Sequence, residues 1–141
     1  MCLKDINSSM KKLLLLLFSI LISFNSWGEW TLYDVDINDG TAFYIEKNTI
    51  KKDSGYVYYW ELIDFWEPIS FTEDMMSVKI QRQVNCNNMR HRNLSISFYK
   101  KQMAMGQARD YTPSMDWFSS PPDSIANRII NFACSYASKL N

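Results

Sequence analysis

The chain has 141 residues, with 15 basic and 15 acidic side chains and a formal net charge of zero. That length suits one small domain, and the balanced charge lacks the basic surface that a general nucleic-acid binder needs. A single histidine excludes a histidine-based zinc cluster.

Lys11 and Lys12 form a short basic segment, followed by an apolar run from Leu13 to Ile22 broken only by Ser19. The run is too short to span ~30 Å of hydrocarbon as a helix. Ser26-Trp27-Gly28 then places small residues at the −3 and −1 positions of a cut before Glu29. This is the layout of a secretory signal peptide over residues 1–28, with Met10 as an alternative natural start. An uncleaved anchor is the rival reading, and the short run and small-residue site favour cleavage. No cysteine directly follows the run to carry a lipid, and Cys2 leaves with the signal. Cleavage also removes Lys4, Lys11, Lys12 and Asp5, so the 15 basic and 15 acidic groups become 12 and 14, a net charge of about −2. No second hydrophobic segment follows, so the mature chain, residues 29–141, is expected to be a single exported domain without a transmembrane helix.

The mature sequence then reads as strands followed by a helix. Residues 30–36 form a first strand, Asn38-Asp39-Gly40 a hairpin turn, and residues 41–46 the returning strand. Residues 48–54 read as a polar connection closed by Gly55. Residues 56–66 form the most aromatic strand. Tyr56, Tyr58, Trp60 and Leu62 share one face, and Val57, Tyr59, Ile63 and Phe65 the other. Both faces are apolar, which predicts cover on both sides: a helix on one, a second layer or partner chain on the other. Pro68 is expected to end the run. Residues 75–86 alternate, with Val78, Ile80, Val84 and Cys86 opposed to Lys79, Gln81, Gln83 and Asn85, so Cys86 is expected to point to the core. Residues 93–100 alternate again, and a short strand over 107–111 follows a break at Gly106. Ser120-Pro121-Pro122-Asp123 reads as a capped helix start. Ile125, Ile129, Ala133, Tyr136, Ala137 and Leu140 continue it as an apolar stripe.

The mature chain keeps two cysteines, Cys86 and Cys134, in an oxidising compartment, which allows one intramolecular pairing. Free thiols or a redox pair are the rivals, and the spacing is far too long for Cys-x-x-Cys. Closing a loop of about 48 residues stabilises a fold by ~4 kcal/mol on the chain-entropy model. Such a bridge would pin the helix across the sheet.

The order of these landmarks resembles the surface-adhesin protein E family of secreted bacterial proteins. The resemblance runs from Trp30 to about Ala137. Its landmarks are Phe43-Tyr44-Ile45-Glu46, Asn48-Thr49-Ile50, Val57 to Asp64, Ser77-Val78-Lys79, Asn85-Cys86, Phe98-Tyr99, Gly106, Trp117, Pro122-Asp123-Ser124 and Cys134. It implies an α+β fold: an antiparallel sheet of about six strands with a C-terminal helix tethered by a Cys86–Cys134 disulfide. It also implies homodimers and binding to host extracellular-matrix proteins through the stretch that runs up to the first cysteine. Here that stretch and its flank mix Lys79, Arg82, Arg90 and Arg92 with Glu61, Asp64, Glu67, Glu73 and Asp74.

Candidate chemistry is sparse. Asp34 to Gly40 is shaped like a calcium loop, but Gly40 falls at position 7 and Glu46 at 13, where an EF-hand needs Gly at 6 and Glu at 12. The hairpin reading is preferred. His91 could act as a base on a free Cys86 thiol, which a disulfide would remove. Glu61 and Asp64 fall on opposite strand faces, a poor geometry for paired acid–base work. No nucleophile elbow, P-loop or dinucleotide fingerprint is present. The sequence therefore predicts no enzyme, no metal and no cofactor. Its best partner-binding candidates are Lys79, Arg82, Arg90 and Arg92 with Tyr58 and Trp60, for a host-matrix or bacterial envelope protein or a second copy. The alternative is a periplasmic structural or inhibitor-like protein with no host contact.

Overall fold

The computed structural model describes residues 3–23, 29–69 and 74–140, with side chains of the first helix described only at 7–17. The expected cleavage site at Ser26-Trp27-Gly28, along with Cys2 and Glu73, lies outside the described residues. A first helix, α1, spans Leu3–Ser23. Leu13 to Leu17 on it are all at least half exposed, so their apolar surface contributes nothing to the domain core. Among the described residues, no helix is long and apolar enough to cross a membrane.

Six strands follow: β1 (Thr31–Asp36), β2 (Thr41–Asp53), β3 (Tyr56–Ile69), β4 (Met75–Asn85), β5 (Arg90–Lys101) and β6 (Met105–Tyr111). They form one antiparallel sheet in sequential order. A final helix, α2, spans Ile125–Ser138. This is the expected α+β architecture. Three details differ from the sequence expectations. The polar stretch after Glu46 is not a connection. It continues β2 after a register shift between Glu46 and Lys51, with Lys51 opposite Tyr58. Thr49 stabilises the shift, because its Oγ1 donates to the Glu46 carbonyl at 2.6 Å and accepts the Trp60 amide at 3.1 Å. Pro68 does not end β3. It falls where β3–β4 pairing is interrupted between Asp64 and Ile69, so the missing N–H breaks no ladder bond. The cap of α2 is Ser124 rather than Ser120, its Oγ accepting the Asn127 amide at 3.1 Å.

The α2 stripe packs on one face of the sheet. Ile129, Ile130, Ala133 and Ala137 meet Ile45, Ile50, Val57, Tyr59 and Val84 in a closed core. Burying each large aliphatic side chain is worth roughly 1.5–3 kcal/mol. Cys86 and Cys134 are joined at the margin of this core, with Cα atoms 5.9 Å apart across 48 residues of sequence. A second tie runs from Arg128 on α2 to Asp34 on β1. Tyr33 adds an edge-on contact with Phe132, ring centroids 5.6 Å apart.

Candidate binding face

The expected second layer over the other sheet face is not present among the described residues. Register alone builds that face. Lys51, Tyr58, Gln83 and Arg92 stand opposite one another on β2, β3, β4 and β5. They form one row across four strands, ~14 Å from end to end at strand spacing. The row is bonded throughout. Lys51 Nζ lies 5.8 Å from the Tyr58 ring centroid, Gln83 Nε2 donates to Tyr58 Oη at 2.8 Å, and Arg92 Nε donates to Gln83 Oε1 at 2.7 Å. Trp117 closes the far end, with the Arg92 guanidinium 4.6 Å from its centroid and Tyr56 stacked at 5.5 Å.

Further along β3, Lys79 sits between two indoles, 4.4 Å from the Trp60 centroid and 5.8 Å from that of Trp30. Leu62, opposite both Tyr44 and Lys79, is fully buried beneath these neighbours. Lysine and arginine stems thus cover the apolar floor while their charged ends stay near water. The end of the face is capped by the β5–β6 turn. Met103 N donates to Asp64 Oδ1 at 2.8 Å, Ala104 N to Ser77 Oγ at 3.1 Å, and Ser77 Oγ to the Lys101 carbonyl at 2.6 Å. Burial raises the Asp64 pKa, opposed by the Met103 amide. Tyr44 is also raised, by burial and then by the Asp64 charge.

The sequence-derived binding residues divide between the faces. Lys79, Arg92, Tyr58 and Trp60 come together on the open face. Arg90 is exposed beside the β4–β5 turn, its Nη2 donating to the Trp117 carbonyl at 2.8 Å. Arg82 lies on the covered face. It is 8 % exposed, its Nε donates to Glu61 Oε2 at 2.9 Å, and its Nη1 donates to Asn93 Oδ1 at 2.6 Å. A docking partner does not reach it there. Burial alone would lower the Arg82 pKa, but the Glu61 carboxylate outweighs it and raises it. Trp30, Lys51, Gln83 and Trp117 join the open face without having been singled out from sequence. Strand parity with Lys79 was the available signal for Gln83. Lys51 was hidden by reading its segment as a loop.

Beside Arg82, the covered face holds two buried polar atoms with no partner among the described residues, Tyr59 Oη and His91 Nδ1. Burial raises the Tyr59 pKa, as does the Glu61 charge. The His91 ring packs edge-on against Phe118 at 4.1 Å, and its Nε2 lies 3.3 Å from Ser120 Oγ. Burial, then the Arg82 charge, lowers its pKa to about 4. Cys86 carries no thiol in the disulfide, so the Cys86–His91 pair has no nucleophile. Asp34 and Asp36 are engaged by Arg128 and by the amides of the β1–β2 turn. No group of three or more metal-ligating side chains occurs among the described residues.

The class of fold is an antiparallel meander sheet, closed on one side by a disulfide-tethered C-terminal helix and aromatic on the other. The family model for surface-adhesin protein E matches residues 30–135, and the chain belongs to that family. Among solved structures, it is similar to protein E from non-typeable Haemophilus influenzae, with a TM-score of 0.57 and 16 % identity over 77 % of this chain and 78 % of that one. A second crystal form of Haemophilus influenzae protein E aligns with a TM-score of 0.60 and 16 % identity, covering 75 % of this chain and 95 % of the other. At this identity the likeness is one of fold. No curated protein matches the sequence.

Proposed function

We propose that the chain is an exported, non-enzymatic binding module that takes a protein partner on its open sheet face. The observation that carries this reading is the bonded array of Lys51, Tyr58, Gln83, Arg92, Trp60 and Lys79 on a face that α2 leaves uncovered. Such a face is pre-organised: rings and cations are held before a partner arrives, which lowers the ordering cost of binding. Aromatic and arginine side chains are also those that most often dominate interface energetics. Membership of the surface-adhesin protein E family supports a surface or exported location. The exposed leucines of α1 suit a signal segment removed before Glu29.

The partner is a host-matrix or bacterial envelope protein, and a second copy of the chain is the competing occupant. Protease treatment of intact cells, with a periplasmic control, tests the location. Digestion on intact cells places the face outside, and protection until the envelope is opened directs the search to envelope proteins. Pull-down with the wild-type domain and with Trp60→Ala then tests the face. Equal recovery of every partner by both proteins would remove the open face from the mechanism. Sedimentation over a range of concentrations separates a second copy from a foreign partner.

A further inference from the structure

A separate feature lies at the C-terminal end of β3. The β1–β2 turn, residues 37–40, and Phe65, Trp66 and Glu67 enclose an open groove of about 280 Å³. Two large apolar side chains border it in the open, Ile37 at 77 % and Trp66 at 50 % exposure. The indole is held in place. Trp66 N donates to the Gly40 carbonyl at 2.9 Å. The ring also lies so close to Gly40 that a Cβ there would meet Trp66 Cε3 at 3.4 Å. Gly40 has φ +64°, so this position favours glycine on backbone grounds as well. The turn is fixed too, because Asp36 Oδ1 accepts the amides of Asn38 at 3.0 Å and Asp39 at 3.2 Å.

The groove is therefore a positioned aromatic surface beside two carboxylates, Asp39 and Glu67. Neither carboxylate has an ion-pair or hydrogen-bond partner among the described residues, and no lysine or arginine lines the groove. An exposed indole next to uncompensated negative charge attracts a cation with an apolar stem. The volume lies just below the range of small-molecule pockets, which suits one side chain rather than a whole metabolite.

We propose that this groove receives a lysine or arginine side chain from a basic segment of a partner protein. The stem would lie on Ile37 and Trp66, and the charged end would meet Asp39 and Glu67. A lone cation at so open a site is held weakly, so the groove serves as one anchor within a larger contact. It carries charge opposite to the lysines and arginine of the open face, and its test is independent of that reading.

The test uses the isotope-labelled domain, residues 29–141, titrated with a tetra-arginine peptide and followed by nuclear magnetic resonance. The expected result is a saturable shift centred on the Trp66 indole N–H and the Gly40 amide. Glu67→Gln should weaken it about threefold, the size of one exposed ion pair. Trp66→Ala should abolish the localised shift, and Trp66→Phe should restore part of it. Circular dichroism on each variant confirms that the fold is kept. A tetraglutamate peptide should move neither signal. Three outcomes would overturn the proposal. One is the absence of any shift, and another is a shift spread over acidic positions elsewhere that Trp66→Ala leaves intact. The third is a concentration-dependent shift at Trp66 without peptide, which would give the groove to a second copy of this chain.

Discussion

On the face covered by α2, the charges of Glu61 and Arg82 are buried and paired with each other. On the open face, those of Lys51, Lys79 and Arg92 rest over aromatic rings within reach of water. Strands β3 and β4 contribute to both arrangements, with Trp60 beside Glu61 on β3 and Gln83 beside Arg82 on β4. Strand parity thus separates a fold-holding network from the proposed binding surface. In the dry network, loss of one partner leaves an uncompensated charge. In the wet array, water replaces a lost partner at little cost. Substitutions on the covered face should therefore act on stability, and substitutions on the open face on binding.

The largest effect is expected at Glu61. Its side chain is 2 % exposed against Arg82. Glu61→Ala strands the guanidinium and should cost about 3–5 kcal/mol, read by chemical denaturation. That is a large fraction of the ~5–15 kcal/mol typical of a domain. The double variant Glu61→Leu, Arg82→Met removes both charges and should regain most of the loss. A single-variant cost below ~1 kcal/mol would show that water reaches Arg82, and the contrast between the faces would collapse.

Next in size is the tether. Cys86→Ser opens a 48-residue loop and frees α2 from its covalent anchor on the sheet. A loss of about 2–4 kcal/mol is expected, with a clear fall in Tm. Wild-type protein in reductant should behave the same way. An unchanged Tm under oxidising conditions would count against any stabilising role for the bridge.

Acid should act through the covered face. His91 has its pKa lowered from 6.5 to about 4 by burial and by Arg82, so the unfolded chain binds the proton more tightly. Stability contributed by neutral His91 is complete above pH 6.5 and is lost as pH falls toward about 4. A protonated ring would also bury an Nδ1–H with no acceptor and a second positive charge beside Arg82. Asp64, raised by burial, works in the opposite sense, since its folded form holds a proton more tightly and gains stability as pH falls. His91→Gln should flatten the His91 contribution. As the only histidine, its ring protons give a direct titration. A midpoint near 6.5 in the folded protein would show an exposed ring.

Much of this contrast was legible in the sequence. Alternation gave the strands, the aromatic stretch of β3, and the core side of β4 with Cys86. The same parity places Arg82 with Val78, Ile80 and Val84, and Glu61 with Val57 and Tyr59, which is where the structure has them. Grouping Arg82 with Lys79 by charge overrode that signal. Other features left no local trace. The second half of β2 is polar apart from Ile50, because its register shift is held by Thr49 and not by an apolar pattern. Two serines precede α2 within five residues, and only the geometry after Pro121-Pro122 selects Ser124. The capping of Asp64 and Ser77 by the β5–β6 turn joins positions far apart in the chain.

The smallest expected effect on stability is the one that best defines the open face. Lys79 is 4.4 Å from the Trp60 centroid, a contact worth about 0.5–1 kcal/mol when exposed and ~2 or more when desolvated. Lys79→Met keeps the apolar stem and removes the charge, so stability should change by less than ~1 kcal/mol. Combined with Trp60→Leu in a double-mutant cycle, the coupling should fall in the exposed range. A coupling near ~2 kcal/mol in the free domain would mean that the pair is already dry and that something covers this face before a partner arrives. A weak coupling together with loss of partner recovery would mark Lys79 as a residue whose work is done at the interface. The two faces of β4 would then differ in role, one holding the fold and the other meeting a partner.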